Sequence, residues 1–182
     1  PAPRLRLGAL TGPLRAGAPL RLDRLTLVPL LGATRGAVYR TLAEALEQGG
    51  VLRERPDPCV NLLLFDAPPG PPVLLYAGEE VVGAKQNRVL NVTRLVAGGA
   101  THEVAVSCIE RGRWTQDAER EGRFASSSQV AYTGLRRRMG EMAWRNRSDG
   151  SAPIDQCAVW EDVAQRSTVH EVRSPTGAMT DV

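Results

Sequence analysis

Two short segments hold most of the side chains in this chain that could perform chemistry. Residues 78–91 (GEEVVGAKQNRVLN) carry two carboxylates, a lysine, an arginine and several carboxamides. Residues 107–114 (SCIERGRW) add a thiol, a carboxylate, two arginines and an indole. Cationic side chains bind phosphate, carboxamides read polar edges, and carboxylates exchange protons. Together the two segments predict a site for an anionic, polar ligand.

The candidate catalytic residues are Glu80, Glu110 and Cys108. A carboxylate can serve as general acid or base, or contribute to a metal site. A cysteine becomes a nucleophile when a nearby cation lowers its pKa. His102 is the only base near Cys108 in sequence, and six strand residues separate the two by roughly 20 Å, which excludes a Cys–His pair within one strand. A buried, inert thiol is the favoured alternative for Cys108.

The predicted ligand-binding residues combine charge, amide groups and one aromatic ring. Lys85 is the only lysine among 23 basic residues, and a lysine retained where arginine is otherwise used suggests a specific need for its compact charge. We expect Lys85 and Arg88 to hold phosphates and Trp114 to stack a ring. The full predicted set is Lys85, Gln86, Asn87, Arg88, Asn91, Arg113 and Trp114. The alternative is a solvated edge strand stabilised by Glu–Arg pairs.

Composition describes an ordinary globular protein. The 182 residues are 42% hydrophobic and 24% charged, which suits a single domain with a hydrophobic core. No apolar run reaches the length of a membrane span, so we expect a cytoplasmic protein without a membrane partner. Cys59, Cys108 and Cys157 are widely spaced, which predicts free buried thiols rather than a zinc site or disulfide framework. No metal site is predicted, and no cofactor is specified.

Arginine-rich stretches supply an alternative site. The formal net charge is +3, and arginines concentrate near the N-terminus and within 130–148. Clustered arginines beside an aromatic ring are compatible with nucleic-acid contact. The residues of this alternative site are Arg136, Arg137, Arg138, Trp144 and Arg145. A solvated helix face explains the same pattern and is favoured.

Hydrophobic periodicity and turn residues place these side chains on a β-rich domain. Alternating leucines in 20–31 indicate a strand with a bulge or turn near Asp23, and Gly83 predicts a close backbone approach or a bulge. Further strands are predicted at 59–65, 73–77, 85–92 and 101–108, helices at 37–50, 129–147 and 154–166, and a polar loop at 115–128.

We therefore predict an α+β fold with an antiparallel, β-rich, sandwich-like core flanked by a few helices. Residues 1–19 are expected to form a flexible arm, 20–166 the single domain, and 167–182 a tail.

The quoted motifs resemble the ARPP family, bacterial and archaeal proteins named for their association with ADP-ribosylglycohydrolases and rhodanese-phosphatase proteins. The resemblance lies in 78–91 and 106–114, continues in 41–49 and 156–163, and extends from about 20 to 177. It implies a role near NAD or ADP-ribose metabolism, without defining an activity. Family members tend to be longer, and 174–182 resembles an internal family segment, which implies either a truncated continuation or a short member of the family.

Three functions follow as hypotheses, and whether the chain is an enzyme stays open. The leading one is binding, with or without processing, of a phosphate-bearing nucleotide of ADP-ribose type. The second is DNA binding, related to repair, through the arginine-rich surfaces, which predicts steep salt dependence. The third is a non-enzymatic interaction module, which predicts that the polar motif residues pair with one another.

Overall fold

The computed structural model describes residues 14–32, 38–57, 59–113, 122–146 and 154–182. The chain divides into two compact units, Pro1–Ala37 and Val38–Val182. Trp114 of the predicted site and the adjoining positions 115–121 lie outside the described residues.

The first unit is built from short antiparallel pairs. Strands β2 (Leu20–Leu22) and β3 (Leu25–Leu27) form a hairpin, and β1 (Arg15–Ala16) pairs with β4 (Leu30–Leu31). The hairpin turns at Asp23, whose φ of 49° lies in the left-handed region that aspartate tolerates better than most residues. The strand with a turn near Asp23 is therefore confirmed.

A closed six-stranded antiparallel barrel forms the centre of the second unit. Its strands are β6 (Val51–Glu54), β7 (Leu62–Asp66), β9 (Glu79–Gly83), β10 (Arg88–Leu90), β12 (Thr101–Cys108) and β13 (Arg123–Val130). They follow one another around the barrel in the order β10, β12, β7, β6, β13 and β9. A smaller sheet joins β5 (Arg40–Thr41), β8 (Val73–Leu75) and β11 (Arg94–Val96), with β5 and β8 parallel. The α+β class with an antiparallel β-rich core is confirmed, and its main sheet closes upon itself.

Within the described ranges, three α-helices accompany the sheets. Helix α1 (Leu42–Glu47) begins at a capping box in which Thr41 and Glu44 satisfy each other's backbone amides. Helix α2 (Thr133–Arg145) follows β13, and α3 (Gln156–Val169) begins where Asp155 accepts from two backbone amides. A 3-10 turn spans Met179–Asp181. No described helix is both long enough and apolar enough to cross a membrane.

Two hydrophobic clusters follow from the alternation of side chains along the strands. Every barrel strand contributes to the first cluster, through residues such as Phe65, Val81 and Leu90, and α1 adds Leu42. Val89 points the other way and joins the second cluster, which contains side chains of α2, α3 and Met179. The barrel wall therefore carries an inner face toward the first core and an outer face toward the helices.

Several local predictions were wrong, each because tertiary pairing decided the conformation. Positions 123–128, predicted as loop, belong to β13, which closes the barrel between β6 and β9. The predicted strand 85–92 is a turn followed by the short β10. The predicted helix 129–147 begins only at Thr133, because Val130 still pairs with Glu79. Within 167–182, α3 continues to Val169 and Ala178 forms a bridge to Glu110.

Candidate functional site

The turn between β9 and β10 meets the end of β12, and this contact unites the two polar motifs. At the end of β9, Gly83 allows the close approach of β13, because a Cβ on Gly83 would lie 2.3 Å from the carbonyl oxygen of Arg123. The expected close backbone approach at Gly83 is therefore confirmed. Ala84 then adopts a φ of 43°, and Lys85 is exposed at the tip of the turn. The sequence thus presents its only lysine where two strands reverse direction.

A hydrogen-bonded group, here called the rim cluster, holds the turn against the segment after β12. It consists of Gln86, Asn87, Glu110, Arg113 and Thr176. One carboxylate oxygen of Glu110 accepts hydrogen bonds from the backbone N–H of Asn87 at 3.1 Å and from Nε of Arg113 at 2.7 Å. Its other oxygen accepts from the Thr176 hydroxyl at 3.0 Å. Glu110 is 6% exposed, so these partners replace the water that the carboxylate loses.

Arg113 completes the rim cluster by bridging the two motifs. Besides Glu110, it donates to the carbonyl of Ala84 at 3.1 Å and to the side-chain oxygen of Asn87 at 2.8 Å. Gln86 donates to the Glu110 carbonyl at 3.1 Å. Charge-assisted bonds of this kind fix geometry more tightly than neutral ones. The rim cluster therefore fixes the position of the turn that displays Lys85.

The C-terminal segment packs directly on this site, although the sequence predicted an irregular tail there. Gly112 donates its amide to the Thr176 carbonyl at 2.6 Å. A Cβ on Gly112 would lie 2.9 Å from that oxygen and 3.0 Å from the Thr176 Cα. Gly112 is thus the small residue that allows the approach. Thr176 is a member of the cluster that sequence reasoning missed, because only tertiary contact brings it there.

Arg88 lies inside the barrel. It is 2% exposed and shares the inner face with Leu90, and its direct cross-strand neighbour is Cys108. One guanidinium nitrogen donates to the side-chain oxygen of Gln86 at 2.9 Å, while Nε has no partner in the part of the chain that the structure describes. Burial lowers the pKa of Arg88, an effect that nearby Cys108 and Glu54 oppose.

Glu80 is the most deeply buried carboxyl group among the described residues, with 0% exposure. It pairs across the sheet with Val89 and therefore leaves β9 on the outer face. No described residue completes a hydrogen bond with either of its carboxylate oxygens. Burial raises the pKa of Glu80, the nearby Ser127 hydroxyl partly offsets this, and the charge of Glu110 adds to it. The Ser127 hydroxyl itself donates to the backbone carbonyl of Glu80 at 3.3 Å.

A bulge in β13 lies opposite Glu80. Ser126 pairs with Val81 and Val130 with Glu79, so residues 127–129 face the single residue Glu80. Ser128 adopts a φ of 61°, an uncommon conformation for a residue with a side chain. Bulges of this kind often lie beside functional sites. Sequence reasoning missed this feature because a Ser-rich stretch was interpreted as loop; the run of three serines was the available signal.

The remaining predicted ligand-binding side chain, Asn91, lies just beyond β10. It accepts from the Ser107 hydroxyl at 2.8 Å, and both residues are buried. Cys108 is 1% exposed, and its sulfur lies 3.6 Å from the Glu110 carbonyl. Gln156 at the start of α3 donates to the carbonyl of Cys108 and accepts from its amide, which fixes α3 to the end of β12.

The three cysteines are free, but they differ in exposure. Cys108 is buried, Cys59 is partly buried and Cys157 is exposed. The prediction that the thiols are free is confirmed, whereas the prediction that they are buried is correct only for Cys108. His102 contacts the Ala97 carbonyl at 2.8 Å. Among the residues that the structure describes, no group of three or more His, Cys, Asp or Glu side chains is arranged to hold a metal ion.

The arginines of the alternative nucleic-acid site have partners within the protein. Arg136 stacks on Tyr76 and donates to the Ala77 carbonyl, and Arg138 pairs with Asp162 at 2.9 Å. Arg137 and Arg145 both lie near Glu141, at 3.9 and 4.0 Å. The Trp144 side chain is 65% exposed on the same helix. These residues thus form a solvated helix face with internal charge pairing.

Arg111 is a further cation at the site, outside the predicted set of ligand-binding residues. It is exposed between Glu110 and Gly112, and its guanidinium lies 5.5 Å from the centre of the Trp160 ring. Such cation–π contacts hold an arginine in place while leaving its charge unneutralised. The site therefore displays Lys85 and Arg111 on its two converging segments.

Comparison with known proteins completes the description of the site. Searches of curated proteins and of solved structures gave no match. A family model, the ARG and Rhodanese-Phosphatase-superfamily-associated Protein domain (ARPP-1), matches residues 13–182 and so covers both polar motifs, the serine bulge and the C-terminal segment. The chain therefore belongs to the ARPP-1 family.

Proposed function

We propose that this chain binds a phosphate-bearing nucleotide of ADP-ribose type at the rim where the 84–87 turn meets residues 110–113. The observation that carries the proposal is the convergence of two polar motifs, distant in sequence, around exposed Lys85. Among the residues of this rim that the structure describes, Lys85, Arg111 and Arg113 outnumber the carboxylate of Glu110, so the described part of the rim carries a net positive charge. A phosphate group is the natural counterpart of such a surface.

In this proposal the predicted residues have different roles in binding. Lys85 and Arg111 contact phosphate oxygens through their exposed charges, and Arg113 is held at a fixed angle by the rim cluster. Arg88 supports the turn from inside the barrel through Gln86. The family's association with ADP-ribosylglycohydrolases, expressed in its name, favours ADP-ribose among nucleotide ligands. Such nucleotides are metabolites of the cell interior, so the proposal places the chain in the cytoplasm.

Catalysis is a separate part of the proposal. Glu80 and Glu110 are the carboxyl groups available for proton transfer, and they differ sharply in environment. In acid–base pairs, two neighbouring carboxyl groups typically have different environments, so that one gives up a proton more readily than the other. The inward location of Cys108 argues for a structural thiol in place of a nucleophile.

The test is a thermal-shift panel with ADP-ribose, NAD, ADP and a short DNA duplex. A ligand at 100 times its Kd stabilises the folded state by about 2.7 kcal/mol. We expect ADP-ribose to raise the Tm of the wild type and to lose most of this effect with Lys85→Ala. Arg137→Ala is the matched control, since it removes an exposed cation on α2. A shift produced by DNA alone, and reduced by Arg137→Ala, would contradict the proposal.

One observation favours a second candidate, a non-enzymatic interaction module. Within the described ranges, Gln86, Asn87, Glu110 and Arg113 are bonded to one another, as expected of a motif that builds the fold. This candidate predicts that none of the nucleotides raises the Tm in the same panel. The panel therefore separates the two functions directly.

A further inference from the structure

Glu80 combines complete burial with a lack of hydrogen-bond partners. A buried polar group without a partner is costly, since it loses its hydration and gains nothing in exchange. Neither oxygen of the Glu80 carboxyl group has a hydrogen-bond partner among the described residues. Glu110, two strands away, shows that the same barrel can satisfy a buried carboxylate fully. The cost at Glu80 therefore points to a partner that is not part of the described chain.

The serine bulge is the part of β13 that lies opposite Glu80. Residues 127–129 interrupt the β9–β13 pairing there, and Ser128 is exposed at the surface. The Ser127 hydroxyl donates to the backbone carbonyl of Glu80 at 3.3 Å, which is long for a hydroxyl donor. The same hydroxyl is near enough to the Glu80 carboxyl group to lower its pKa against the effect of burial.

The surroundings of Glu80 determine which chemistry fits. Among the described residues, no group of three metal-ligating side chains includes Glu80. Glu110 is nearby but already neutralised by Arg113. Burial favours the uncharged form of Glu80, which both donates and accepts a hydrogen bond. A serine hydroxyl has the same dual capacity, and adjacent hydroxyl groups of a sugar match this pair.

We propose that Glu80 and Ser127, at the β13 bulge, bind adjacent hydroxyl groups of a sugar ring. The inference rests on the proposed function, since ribose is the sugar of an ADP-ribose type ligand, and it assigns the ribose end of that ligand to Glu80. Glu110 links the two ends of the site: it belongs to the rim cluster, and its charge acts on Glu80. The phosphates lie at Lys85 and the terminal ribose at Glu80.

The experiment compares ADP-ribose with ADP, which lacks the terminal ribose, by isothermal titration calorimetry on the full chain. Glu80→Leu removes both hydrogen-bonding oxygens and suits the apolar surroundings, so the variant should fold. We expect it to reduce the preference for ADP-ribose over ADP by about tenfold or more. Glu80→Gln keeps a neutral donor and acceptor, and should retain that preference within a few-fold.

Controls separate the sugar site from the phosphate site. Lys85→Ala should weaken ADP-ribose and ADP together, since both carry phosphates. Glu79→Gln alters the neighbouring carboxyl group, which leaves β9 on the opposite face, and should change neither affinity. An unchanged ADP-ribose preference in Glu80→Leu would overturn the inference while leaving the phosphate site intact.

A second probe keeps the inference testable if the proposed function fails. Should neither nucleotide bind the wild type, D-ribose is titrated into labelled protein and followed by NMR. Chemical-shift changes at the amides of Ser126, Ser127 and Ser128 that disappear in Glu80→Leu would sustain the sugar site without the phosphate site. No changes at these amides would overturn both proposals.

Discussion

Glu110 and Glu80 lie on neighbouring parts of the same barrel and are both buried, and yet their hydrogen-bonding environments are opposite. Glu110 accepts from Asn87, Arg113 and Thr176, while Glu80 accepts from no described side chain. A satisfied carboxylate fixes the segments around it, whereas an unsatisfied one retains its hydrogen-bonding capacity. The two buried carboxyl groups therefore differ in role: Glu110 builds the rim, and in our proposal Glu80 binds ligand.

The largest effect is expected from removing the satisfied carboxylate. Glu110→Ala removes the buried ion pair with Arg113 and the acceptor of the Asn87 backbone N–H, and should lower the free energy of unfolding by about 3 kcal/mol. Urea unfolding at neutral pH measures this loss. Glu141→Ala is the control, because its exposed pairs with Arg137 and Arg145 contribute less than about 1 kcal/mol. Equal losses in the two variants would show that the rim cluster has no special role.

A smaller effect is expected where the C-terminal segment meets the rim. Gly112→Ala places a methyl group 2.9 Å from the Thr176 carbonyl oxygen and should lower the free energy of unfolding by about 2 kcal/mol. Hydrogen exchange should show faster opening of 174–182. Gly140→Ala is the matched control: nothing lies within 4 Å of the added carbon, and the change should stabilise α2 by about 0.5 kcal/mol. Slower exchange in Gly112→Ala than in the wild type would contradict the proposed packing.

The smallest stability effect is expected at Glu80, and it depends on pH. Because burial raises the pKa of Glu80, the folded state holds this proton more tightly than the unfolded state. Stability from this group is therefore fully present below the ordinary glutamate pKa and is lost as pH rises through the folded-state pKa. Glu80→Gln removes the dependence and should stabilise the fold by about 1 kcal/mol at pH 7.

Unfolding curves of wild type and Glu80→Gln between pH 4 and 8 measure the difference. Subtraction of the two profiles removes the contribution of Glu79, whose pKa burial also raises. If the difference between the two proteins does not change with pH, Glu80 is not the buried, unpaired acid described here.

Much of the fold could be predicted because its signals are local. The hairpin turn at Asp23 follows from the conformational preference of a single residue. Strand β12 was predicted with its observed bounds, since alternating valines mark one buried face. The choice of 78–91 and 107–114 as the polar motifs anticipated the rim cluster.

The rest depends on contacts that a sequence pattern does not encode. Strand β13 carries serines in place of alternating apolar residues, and only pairing with β6 and β9 makes it a strand. Thr176 reaches Glu110 across 66 positions of sequence. The inward direction of Arg88 follows from its register with Cys108, which the shorter β10 determines. Neither motif alone could show that the Glu110 carboxylate would find hydrogen-bond partners and that the Glu80 carboxyl group would not.

The most direct test of the central claim is a titration of isotope-labelled wild-type protein with ADP-ribose, followed through backbone amide resonances. We expect the perturbed amides to belong to 84–88, 110–113 and 126–128, the segments that surround Lys85 and Glu80. Perturbations confined to α2 around Arg137 and Trp144, or no perturbation at saturating ligand, would contradict nucleotide binding at this site.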